Sequence, residues 1–223
     1  LEGSELSAEQ KQAVAEKLHG YTGLPVAYLV KSNLRVDGGA FSKNLQSDSD
    51  TTTGRLDARY KGPDINPMSE TADYDPQSQA IQSAYTAAIN QYVRTELKYG
   101  DQQTYKPGAY GEPNFTWDMR HQSPGGPPAN FQWGGTNVLN DLATTMKLNP
   151  KMKVMVTGGY YDLATPFFEG VYEMHHLPIP QKLQANISYH YYPAGHMIYV
   201  NEGALKQFHA DVAAFIRQTE DGK

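Results

Sequence analysis

Three features of this sequence predict an α/β protein. From Asn137 onward, apolar patterns of helical period alternate with short strand patterns, the signature of a parallel sheet covered by helices. The first 45 residues carry helix-period runs and none that alternates as a strand does. A length of 223 residues, 39% of them hydrophobic and 19% charged, suffices to bury a real core in one large or two small domains.

Taken in order, Ser7 followed three residues later by Gln10 is a capping-box pattern. It opens a helix with Val14 and Leu18 as its apolar stripe, which Gly20 is expected to stop. Pro25 begins a second short helix, where Val26, Leu29 and Val30 have i, i+3, i+4 spacing, and Asp37 caps a third piece containing Phe41 and Leu45. Residues 46–75 are rich in Ser, Thr, Asp, Gly and Pro and read as loop. Inside them, Gly54-Arg55-Leu56-Asp57-Ala58-Arg59-Tyr60 reads as a locally ion-paired turn in preference to a short extended piece. Residues 76–99 form a long helix with Ala80, Ala84, Ala88 and Tyr92 in one row and Ile81, Tyr85, Ile89, Val93 and Leu97 in the next. So broad a face is expected to pack on more than one neighbour. The stretch from Gly100 to Gly135, with Trp117 and Trp133, is Gly, Pro and aromatic residues without period. A junction is placed there, dividing a mainly helical region, 1–115, from an α/β region, 116–223.

In the second region, 137–147 is an amphipathic helix with Val138, Leu139, Leu142 and Met146 on one face. Residues 151–157 form a strand halted by Gly158-Gly159, 166–174 a helix, 186–192 a second strand and 199–218 a long helix. Its inward face is Val200, Ala204, Leu205, Phe208, Val212, Phe215 and Ile216. In a strand, helix, strand unit the two strands run parallel, so the loops leaving their C-terminal ends emerge on one edge. Those loops hold Asp162 and His196, at the edge where ligands of open α/β sheets bind. An Asp that accepts from one imidazole nitrogen fixes the tautomer and leaves the other as a general base. Each residue also has a plainer role, Asp162 as a helix cap or turn residue and His196 as a satisfied loop histidine. Their joint placement, acid first and histidine 34 residues later across one crossover, favours a functional pair.

Other chemistries are narrowed by composition. There is no Cys, which excludes disulfides, thiolate metal sites and a cysteine nucleophile. Lys and Arg total 19 against 24 Asp and Glu, so no basic nucleic-acid footprint exists. No apolar run approaches the roughly 20 residues a membrane span requires. Sixteen Tyr against seven Phe suit wet interfaces and clefts. Adjacent His175 and His176 would point about 100° apart on a helix, a poor chelating pair, and no dinucleotide fingerprint or P-loop occurs.

The blocks Gly158-Gly159-Tyr160-Tyr161-Asp162-Leu163-Ala164-Thr165-Pro166-Phe167 and Tyr192-Pro193-Ala194-Gly195-His196-Met197-Ile198-Tyr199 resemble the serine carboxypeptidase family, more narrowly its bacterial α/β-hydrolase branch. Thr22-Gly23-Leu24, Asn33-Leu34-Arg35-Val36-Asp37 and Gly54-Arg55-Leu56-Asp57-Ala58-Arg59 are similar to the helical insertion that family places over its active site. The resemblance implies that 1–115 is cap or lid and 116–223 the C-terminal part of an α/β-hydrolase sheet. It further implies that Asp162 is the triad acid and His196 the general base, acting on a peptide substrate without cofactor or metal. The third member would be a Ser in a Gly-x-Ser-x-Gly elbow, and no Ser here has Gly at both positions two away. The expectation is therefore a C-terminal portion of a longer enzyme, whose N-terminal portion carries the nucleophile and partners this one. Proteolytic maturation, truncation and degradation would each leave such a chain. The resemblance favours a periplasmic or secreted location, on which Leu1 has no bearing. The alternative is a complete, non-catalytic α/β-hydrolase-like binding domain whose Asp162 and His196 are relics.

Overall fold

A computed structural model describes residues 5–106, 108, 113–122, 124–126, 130–131 and 136–221; Trp133 lies outside the described residues. The fold is mixed α/β, and its contacts gather into two units. One comprises Leu1–Gln82, Gly159–Pro166 and Pro193–Asn201; the other comprises Ser83–Gly158, Phe167–Tyr192 and Glu202–Lys223. Each unit is assembled from segments that alternate along the sequence. The loops at 159–166 and 193–201 join the N-terminal helices because their backbone groups bond to residues 55–58.

In the first unit, α1 (Ala8–Thr22) opens on the expected capping box. Ser7 Oγ accepts from the Gln10 amide at 3.2 Å, and the Ser7 amide donates to Gln10 Oε1 at 2.8 Å. The helix does not stop at Gly20. It ends at Gly23, whose φ of 80° supplies the left-handed turn and whose N–H caps the His19 carbonyl. Helix α2 (Val26–Lys31) follows Pro25, and α3 (Gly38–Asn44) is capped by Asp37, which accepts from the Ala40 amide at 2.9 Å. Ala15, Leu24 and Leu29 form the core, with Val26, Phe41 and Leu45 against it.

Residues 46–75 are more structured than their composition suggests. Strands β1 (Thr51–Thr53) and β2 (Lys61–Pro63) pair antiparallel, with Thr52 and Thr53 buried. Lys43, 5% exposed, donates to both Asp64 carboxylate oxygens at 2.5 Å and to the Asn66 carbonyl at 2.6 Å. A hairpin of threonines pinned by a buried ion pair has no apolar alternation to betray it. Helix α4 (Pro76–Thr95) then starts at Asp75, whose Oδ1 accepts from the Ser78 amide at 2.7 Å. Its expected broad packing is not found. Only Pro76 and Gln77 are buried among its described residues, and Tyr85, Ile89 and Tyr92 are exposed.

The second unit holds β3 (Arg120–His121) and β4 (Asn130–Phe131), a two-residue antiparallel pair within the stretch read as irregular. Helix α5 (Leu139–Leu148), strand β5 (Val154–Gly159), helices α6 (Phe167–His175) and α7 (Gln181–Gln184), strand β6 (Ile187–Tyr192) and helix α8 (Glu202–Asp221) follow. Strands β5 and β6 form one sheet. Val154 N–H donates to the Asn186 carbonyl, while further along both chains Gly158 lies against the Tyr191 ring, so the strands run parallel.

Period 2 along β6 sorts the helices onto its two faces. Ile187 packs with Ala143 and Met146 of α5, Tyr189 meets His175 edge-on, and the Tyr191 hydroxyl donates to the Phe167 carbonyl at 3.0 Å. On the opposite face Tyr192 stacks edge-on with Phe208 and donates to Asp211 Oδ2 at 3.0 Å. Helix α8 is less buried than its apolar stripe predicts. Ala204 is covered, Phe208, Val212 and Phe215 are half-buried, and Leu205 and Ile216 are exposed, as is Val138 just before α5. No helix among the described residues is long and apolar enough to cross a membrane.

Candidate functional site

Strands β5 and β6 end at Gly159 and Tyr192, and the loops that follow them meet. The Tyr161 amide donates to the Ala194 carbonyl at 3.0 Å. A Cβ on Gly159 would run into the carbonyl oxygens of Ala194 and Gly195, so the approach requires glycine.

Asp162 is 4% exposed and accepts four hydrogen bonds. Oδ1 takes the amides of Ala164 at 2.7 Å and Thr165 at 3.0 Å, which fixes the loop as an Asx turn. Oδ2 takes the Thr165 hydroxyl at 2.7 Å and His196 Nδ1 at 2.9 Å. The turn role and the paired role expected for this aspartate are therefore filled together, by different oxygens. A carboxylate can only accept, so Nδ1 carries a proton toward Asp162, and in the neutral ring the lone pair is on Nε2. Burial pushes the Asp162 carboxyl up, but the bonds from Thr165, His196 and Ala164 outweigh it and hold it below the ordinary carboxylate range. The His196 side chain is 45% exposed, so a buried, ionised acid orients an accessible ring.

Both loops are bound to the turn at 54–60. The Arg55 carbonyl accepts from the Leu163 amide at 3.0 Å, the Leu56 carbonyl from the His196 amide at 2.7 Å, and the Ala58 amide donates to the Tyr161 carbonyl at 2.9 Å. Asp75 holds that turn from the start of α4, its Oδ2 accepting from the Arg55 and Leu56 amides at 2.6 and 2.9 Å. Within the turn, Asp57 is 2% exposed and forks with Arg59, Nε to Oδ1 at 2.9 Å and Nη2 to Oδ2 at 2.7 Å. Arg59 Nη1 donates to the Pro193 carbonyl at 2.9 Å, and its guanidinium carbon lies 4.4 Å from the centre of the Tyr161 ring. Gly195 is buried on this turn, where a Cβ would collide with the Leu56 carbonyl and Asp57.

Sequence reasoning names Asp162 and His196, and the structure brings them together. It passes over Thr165, although a hydroxyl three residues after an Asp is a recognisable turn signal. It identifies the ion-paired turn but not its attachment to both loops, which runs through main-chain carbonyls. Of the residues flanking the pair, Tyr160 is exposed and Tyr161 carries the contact with Arg59. His175 and His176 take separate partners, Tyr189 and Tyr172, and no group of three His, Cys, Asp or Glu among the described residues could hold a metal ion. A cavity of about 560 Å³, lined by residues including Arg94, Tyr99, Tyr105 and Lys106, contains neither member of the pair. Compared with known proteins, the chain matches no family model, no curated protein and no solved structure.

Proposed function

We propose that this chain is the acid- and base-bearing portion of a serine-type carboxypeptidase of α/β-hydrolase architecture, its nucleophilic Ser supplied by a segment outside these 223 residues. The observation that carries the reading is the 2.9 Å contact between Asp162 Oδ2 and His196 Nδ1, with the acid buried and the ring accessible. His196 Nε2 takes the proton of the Ser hydroxyl as its oxygen attacks the carbonyl of a peptide bond. The resulting imidazolium, stabilised by Asp162, returns that proton to the leaving amine, and water hydrolyses the acyl-enzyme by the same route. Two further features fit a missing partner segment. Among the described residues strands β5 and β6 form a sheet of two strands, and the apolar rows of α4 and α8 remain partly bare.

The test is to express the longer reading frame containing these residues and treat it with a fluorophosphonate probe. Labelling at an upstream Ser, its loss in His196→Ala and release of C-terminal residues from peptides with a free carboxyl end are expected. Labelling of the 223-residue chain at one of its own serines overturns the proposal.

A second reading, a non-catalytic domain that keeps the pair for structure, has one observation in its favour. Three of the four bonds at Asp162 go to its own loop. It expects the longest natural form to remain unlabelled and inactive on peptides.

A further inference from the structure

We infer that Arg59 is a positioning residue for the Asp162–His196 pair, an inference that rests on the hydrolytic reading of that pair. Arg59 lies outside the two loops, and its side chain touches both. Nη1 binds the carbonyl of Pro193, three residues before His196, and the guanidinium plane covers Tyr161, the residue before Asp162. Nε and Nη2 each donate to the buried Asp57 carboxylate. The guanidinium is planar and rigid, so a fork anchored on one side fixes where Nη1 lies on the other. The two loops are thereby registered against one buried anion.

The surroundings explain why this staple matters. Asp57, Arg59, Gln77, Gly195 and Met197 help line a cavity of about 60 Å³ behind the histidine loop. Gln77 Oε1 is buried there without a hydrogen-bond partner. Elsewhere the histidine loop rests on packed main chain, at the Leu56 carbonyl. Space next to a loop permits it to sink or tilt once its side support is gone. Without Arg59 the Pro193 carbonyl loses its donor, and the His196 ring can move relative to Asp162 while the Leu56 bond persists. Displacements on the scale of 1 Å at a reacting group cost roughly 100-fold in rate.

The experiment uses Arg59→Met and Arg59→Lys, with Lys61→Met as a control on the exposed neighbouring strand. Lysine keeps a cation beside Asp57 but cannot bind it in two places and reach Pro193 as well, so this variant keeps the test readable if burial of an unpaired Asp57 unfolds the methionine variant. In the 223-residue chain, the Nδ1–H proton resonance, assigned by its disappearance in His196→Ala, should be present in the wild type and the control. It should broaden or vanish in both Arg59 variants while their far-UV spectra remain those of the wild type. In the longer, hydrolytic form, both variants should lose roughly 10- to 100-fold in kcat with KM changed less than about threefold. An unmoved resonance and an unchanged kcat overturn the positioning role alone. Loss of the resonance in a protein whose longest form hydrolyses no peptide upholds the role of Arg59 in holding the pair and overturns the hydrolytic reading.

Discussion

Replacing Asp162 by Asn separates the two jobs of this side chain. The amide oxygen can keep the Ala164 and Thr165 amides, now 2.7 and 3.0 Å from Oδ1, but the NH₂ group replaces the oxygen that receives the Thr165 hydroxyl and His196 Nδ1. The hydroxyl can rotate to accept. The imidazole must shift its proton to Nε2, because two N–H groups cannot face each other. Hydrogen bonds to a charged group contribute about 1.5–3 kcal/mol each and neutral ones about 0.5–1.5. Converting two retained bonds to neutral ones and re-forming the others should thus cost about 2–3 kcal/mol at pH 7. Urea denaturation, with m unchanged, measures the loss, and long-range ¹⁵N–¹H spectra report the tautomer. The pH dependence has a definite sign. The folded Asp162 carboxyl lies below the ordinary range, so its contribution is complete above about pH 5 and fades as pH falls through about 4 toward the folded value. The gap between wild type and Asp162→Asn should therefore narrow below about pH 4. A variant within 0.5 kcal/mol of wild type, about the scatter of surface substitutions, that retains the Nδ1–H tautomer would refute the reasoning.

Gly195→Ala forces a methyl group into the Leu56 carbonyl and Asp57, and overpacking of this kind should cost about 1–3 kcal/mol in thermal or chemical unfolding. Tyr192→Phe removes the hydroxyl that donates to the Asp211 carboxylate from a fully buried ring, for a loss of about 1.5–3 kcal/mol. Burial and the Asp211 bond raise the Tyr192 phenol above its ordinary range, so its ultraviolet ionisation step should come at higher pH than that of the exposed tyrosines. Ser7→Ala breaks the reciprocal cap of α1 and should lower stability by about 1 kcal/mol, read from the melting temperature.

Elements whose signals are local were legible in the sequence. Capping residues at Ser7 and Asp37 mark true helix starts, and the paired strands after Pro150 and Ala185 are visible from their β-branched and aromatic runs. Gly20 misleads because a single glycine weakens a helix without forcing a left-handed turn, and it is Gly23 that adopts one. The hairpin of β1 and β2 is hidden because its buried residues are Thr52 and Thr53, beside a buried Lys43–Asp64 pair, and not an apolar alternation. On α4 and α8 the apolar rows were legible, but whether anything covers them is not a property of period.

For the site, order along the chain and the parallel-strand rule sufficed to bring Asp162 and His196 to neighbouring loops. Chain order also supplied the choice of His196 as the ring beside that acid. The support beneath them was decided by tertiary structure. Arg59 and Pro193 are 134 residues apart, and their bond ends on a main-chain carbonyl that any residue would present. Side-chain identity therefore carries no trace of it. Spacing encodes what a helix or strand does over a few residues, whereas the registry of two loops against one buried anion exists only once the chain has folded back on itself.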